Sequence, residues 1–96
     1  MRVRGERGEV RAGGRFVAAL GRWRLEPAEG VFRGGRLVLT ARVLARDAFW
    51  SERGGAYDVE LDCGSCRWRW RGLAVAWGEE IAAVTSERPE VLDAAE

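Results

Sequence analysis

Ninety-six residues and 10.7 kDa make a single domain with one modest core. A composition of 47% apolar and 32% charged residues with five tryptophans excludes a disordered chain, and a net charge of +1 lacks the strongly basic balance of most nucleic-acid binders. All 16 basic residues are arginine, and His, Lys, Asn and Gln are absent. The chain therefore has no Ser-His or Cys-His nucleophile pair, no imidazole metal site, no phosphate-loop lysine and no Schiff base. Paired carboxylates for glycoside chemistry remain, but a domain this small has little room for a deep cleft. The expectation is a non-enzyme that needs no cofactor.

In chain order, residues 1–14 alternate Arg, Glu and Gly with only Val3 and Val10 apolar and end at Gly13-Gly14. They read as an N-terminal arm or an edge strand. Residues 15–86 read as a β domain. Phe16 to Leu20, then Trp23 and Leu25, form one strand or two, broken near Gly21, with a turn at Pro27 to Gly30. Val31 to Arg33 and Arg36 to Val38 flank Gly34-Gly35, a hairpin signal. The second arm places Leu37, Leu39, Ala41, Val43 and Ala45 on one face and Thr40, Arg42 and Arg46 on the other. A helix over 41–48 competes with this reading, and the β-branched residues favour strand. A loop over 47–55 then carries Phe49 and Trp50, aromatics with no alternation to bury them.

The clearest pattern is YDVELDCGSCRWRWR, residues 57–71. Gly64-Ser65 suits a type II′ turn, and closing on it pairs Asp62 with Arg67, Glu60 with Arg69 and Asp58 with Arg71. The other face pairs Cys63 with Cys66, Leu61 with Trp68 and Val59 with Trp70. Opposite charges meet on one face and apolar groups on the other, so a one-residue slip would spoil both. Leu73, Val75 and Trp77 continue as strand, and Ile81 to Thr85 form another. The last residues, 87–96, read as an acidic tail in which PEVLDAAE makes a short helix or frays. Six or seven short strands indicate an all-β fold, a small antiparallel β-barrel or β-sandwich.

Charge is uneven along the chain. Five arginines against Glu6 and Glu9 give residues 1–15 a charge of +3; ten arginines against seven acids give residues 16–71 another +3; Arg88 against six acids leaves residues 72–96 at −5. The arginines of the hairpin face acids, so the basicity left over belongs mainly to the N-terminal arm. Arg2, Arg4, Arg7 and Arg11, with Phe49 and Trp50, are therefore the interface candidates.

Cys63-Gly-Ser-Cys66 has redox or zinc spacing, but it lacks the following helix that activates a thiol and the two further ligands that zinc needs. Paired thiols at a turn, a strained disulfide and a metal shared between chains all remain open. Arg22, Trp23 and Arg24 have the materials of a single-stranded nucleic-acid site. The longest apolar runs, Phe16 to Leu20 and Leu73 to Trp77, are far too short to span a bilayer, and synthesis in a bacterial cytoplasm is the expectation.

RDAFWSERGGAYDVELDCGSCRWRWRG, residues 46–72, together with SERPEVL near the end, resembles stretches of small structural proteins from bacteriophages of GC-rich hosts. The likeness covers roughly half the chain as texture rather than motif, and assigns no functional residue. It implies a virion role in a tail, a head–tail junction or a capsid decoration. Two expectations follow: an assembly subunit that contacts copies of itself or neighbouring proteins, and, as the alternative, a small barrel that binds single-stranded nucleic acid.

Overall fold

A computed structural model of the chain describes residues 2–28, 35–48, 55–86 and 88–93. Among these residues every regular element is a strand: β1 (Val3–Gly5), β2 (Arg7–Ala12), β3 (Arg15–Pro27), β4 (Arg36–Arg46), β5 (Ala56–Asp62), β6 (Cys66–Ala74), β7 (Glu80–Ser86) and β8 (Glu90–Asp93). They form one antiparallel sheet in the order β7-β4-β3-β2-β5-β6-β8, with β1 joined to β3, curled into a half-barrel. The all-β barrel-like architecture expected from the strand pattern is the one observed.

Period-2 patterning builds the inside. In β7, Ile81, Ala83 and Thr85 turn inward and their neighbours outward; in β4, Leu37, Leu39 and Ala41 do the same. β3 is a single strand of 13 residues. Its pairing with β4 slips between Ala19 and Leu20 and again between Leu20 and Trp23, which lets Val17, Ala18, Leu20, Trp23 and Leu25 all be buried. Val10, Val59, Leu61, Trp70 and Tyr57 complete the core, with Trp68, Leu73 and Trp77 packed against it. Trp68 lies 6.3 Å from both Trp23 and Trp70, and Trp77 meets Tyr57 edge-on at 5.4 Å. Full burial of each large apolar side chain contributes roughly 1.5–3 kcal/mol.

Two expectations for the chain ends are corrected. Residues 1–14 are not an arm, nor is all of this segment at an edge. β2 lies inside the sheet between β3 and β5, and Val10 is fully buried. Gly8, Val10 and Ala12 alternate with Arg7, Glu9 and Arg11, but Gly and Ala are too small to register as an apolar face. The segment after Pro89 is not a helix: Glu90–Asp93 forms β8, which pairs along Cys66 to Arg69 of β6. The backbone groups on that edge of β6 need a partner, and β8 supplies it.

The β5–β6 hairpin has the expected register for Val59–Trp70, Glu60–Arg69, Leu61–Trp68 and Asp62–Arg67. Gly64, at φ 96°, opens the turn, and the N–H of Cys63 donates to the Cys66 carbonyl at 3.1 Å. Asp58 and Arg71 do not pair. Tyr57 faces Leu73, so β6 carries one extra residue beyond Trp70, accommodated at Gly72 with φ 69°. The Gly72 N–H donates to Asp58 at 3.2 Å, while Arg71 donates to Glu90 at 3.1 Å.

Candidate functional site

The interior is packed with side chains, so the chemistry available to a partner lies on the outer face of the sheet, where two charged regions differ in kind. On β2, β5, β6 and β8 acids and arginines neutralise one another. Glu60, only 8% exposed, lies 3.6 Å from Arg67, 3.6 Å from Arg69 and 3.9 Å from Arg11; Arg11 also pairs with Glu9, and Glu90 bridges Arg69 at 3.6 Å and Arg71 at 3.1 Å. The rung-by-rung ladder expected from the hairpin register is thus a web centred on Glu60. Asp62 faces Arg67 in register, yet its carboxylate accepts from the Gly64 N–H at 3.0 Å.

On β1, β3 and β4 the arginines outnumber the acids around them among the described residues. Arg4 and Arg24 stand directly opposite each other, Thr40 follows on the next strand, and Arg22 and Arg42 lie beside them. Together with Glu6 and Glu80 they line a groove of about 700 Å³. Arg24 donates to the Thr40 hydroxyl at 3.2 Å and lies 3.8 Å from Glu26. Among the described residues no carboxylate lies within 4.0 Å of Arg4, Arg22 or Arg42.

Trp23 forms the floor of this groove rather than a stacking surface. It is 1% exposed, and its Nε1–H donates to the Arg7 carbonyl at 2.8 Å. A stacking role for Trp23 between Arg22 and Arg24 is therefore corrected: alternation turns the arginines out and the indole in. The interface candidates also separate. Arg2 and Arg4 are exposed at β1, Arg7 lines a smaller hollow with Asp62 and Arg67, and Arg11 is tied to Glu9 and Glu60. Phe49 and Trp50 lie outside the described residues.

Cys63 and Cys66 are free thiols with Sγ atoms 3.1 Å apart. Burial, then the neighbouring Cys66, pushes the Cys63 thiol up to about 11. Among the described residues no group of three or more His, Cys, Asp or Glu side chains is placed to hold a metal ion, and no helix is long and apolar enough to cross a membrane.

Arg22 and Arg24 were legible as a basic pair from the sequence. Arg4, Thr40, Arg42 and Glu80 join them only through strand pairing; the one local signal was the alternation that sets Thr40 and Arg42 opposite Leu39 and Ala41. Compared with known proteins, the chain matches no family model, no curated protein and no solved structure.

Proposed function

We propose that this chain is a non-enzymatic assembly subunit that works through protein–protein contacts. In keeping with its resemblance to bacteriophage structural proteins, it is a virion component of a tail, a head–tail junction or a capsid surface. The observation that carries the reading is an outer sheet face that none of the described residues covers. Val84 (50% exposed) stands there beside its cross-strand partner Val38, with Arg36 and Arg88 near by, and Leu44 (63%) stands farther along β4 against Gly21. Apolar groups inside a polar, arginine-rich rim are the make-up of a protein interface. The absence of His and Lys from the sequence supports a role outside catalysis.

The test is native mass across protein concentration, together with mass spectrometry of purified phage particles from a host that carries the chain. Concentration-dependent assembly and presence in particles are expected. A monomer at all concentrations overturns the assembly reading, and absence from particles overturns the virion role.

A further inference from the structure

We infer that the groove between β1, β3 and β4 is a binding site for an extended acidic peptide segment of a partner protein. The inference deepens the assembly reading by naming a contact site and the chemistry of its partner.

Three observations meet there. First, the arginines are concentrated against electrostatic preference: Arg4 and Arg24 are direct cross-strand neighbours, an arrangement that like charges disfavour. Second, this occurs in a chain that neutralises the other charged region of the same outer face, where Glu60 and Glu90 bind Arg67, Arg69 and Arg71. Arg4, Arg22 and Arg42 have no carboxylate within 4.0 Å among the described residues, although Glu80 stands opposite Arg42 in register. Third, the site is concave, about 700 Å³, with the Thr40 hydroxyl between the strands. Guanidinium groups bind carboxylates through paired N–H donors, so incoming acids would supply the missing partners.

The spacing favours an extended chain. Arg22 and Arg24, like Thr40 and Arg42, are two residues apart on a strand, about 6.6 Å at 3.3 Å per residue. An extended peptide repeats side chains on one face at the same interval. Phosphates of a single-stranded nucleic acid match less well for other reasons. Trp23 offers no ring for stacking, and Glu6 and Glu80 interrupt the arginines, which a peptide with spaced acids accommodates better than an unbroken run of phosphates.

The experiment measures fluorescence anisotropy with two labelled probes, an eight-residue peptide alternating Glu and Ser and a twelve-nucleotide oligothymidylate. The peptide should bind, and raising salt from about 0.05 to 0.5 M should weaken it, because screening shortens the reach of exposed charges. The double variant Arg22→Ala/Arg42→Ala should bind it at least tenfold more weakly, while Arg88→Ala, outside the groove, should not. Arg22, Arg42 and Arg88 are all solvent-facing, and tryptophan fluorescence checks that each variant stays folded. Tighter binding of the oligonucleotide than the peptide overturns the inference, as does peptide binding that the double variant leaves unchanged. No peptide binding by a chain that still assembles in native mass removes this site and leaves the assembly reading standing. Peptide binding by a strict monomer does the reverse.

Discussion

Single atoms decide where several of these side chains sit. A Cβ on Gly5 would lie 2.4 Å from the Trp23 ring, inside any real contact distance. The ring is held by its bond to the Arg7 carbonyl and packs near Trp68, so it has little freedom to yield. Gly5→Ala should cost about 1–3 kcal/mol, the range for overpacking a closed core, read as a lower urea midpoint. An unchanged midpoint would mean that Trp23 repacks freely. At the hairpin turn, Cys63 holds its proton up to about pH 11, so the folded chain binds that proton more tightly than the unfolded chain. The contribution of this thiol to stability is then complete below its ordinary value of 9.0 and falls as pH rises from there towards about 11. The wild type should therefore lose more stability than Cys63→Ser between pH 8 and 11, by urea denaturation at each pH. Equal losses would remove the linkage.

Within elements, the hairpin shows what a charge is worth by position. Glu60 is buried among Arg11, Arg67 and Arg69, whereas Glu26 meets Arg24 at 3.8 Å with both side chains about half exposed. Glu60→Gln should destabilise by about 1–3 kcal/mol, because half-buried guanidinium groups lose their counter-charge. Glu26→Gln should change stability by less than about 0.5 kcal/mol. Urea denaturation of the two variants side by side checks the contrast. The β5–β6 register was readable in advance because two faces constrained it together. The shift past Trp70 was not, since Gly72 reads equally well as the end of a strand or as its bulge. β2 was misread because two of its three inward residues are Gly8 and Ala12, and β8 because a strand of four residues exists only by virtue of the β6 edge it covers. The arginine groove was half legible: Arg22 and Arg24 are neighbours in sequence, but Arg4 and Arg42 arrive through pairings with β3 that no local pattern specifies.

At the scale of the molecule, β7 and β8 are separated by only residues 87–89 yet stand at opposite ends of the strand order. The chain between them therefore draws the two margins of the half-barrel together. Across that seam run the backbone bridge between Ala76 and Ala82, at 2.9 and 3.0 Å, and the Trp70 Nε1–H, which donates to the Ser86 carbonyl at 2.8 Å. Trp70 is 4% exposed, so its indole packs the core while its N–H holds β7 near β6. Trp70→Phe keeps most of the apolar volume and removes the donor. The loss should be about 1–2 kcal/mol from the bond and the partly vacated volume, and it should be local. Amide hydrogen exchange should quicken in residues 83–86 and in β8, while β2, β3 and β5, which are paired on both sides, keep their protection. Uniform quickening would show instead that the sheet opens as one unit and that the seam has no separate role in holding the barrel shut.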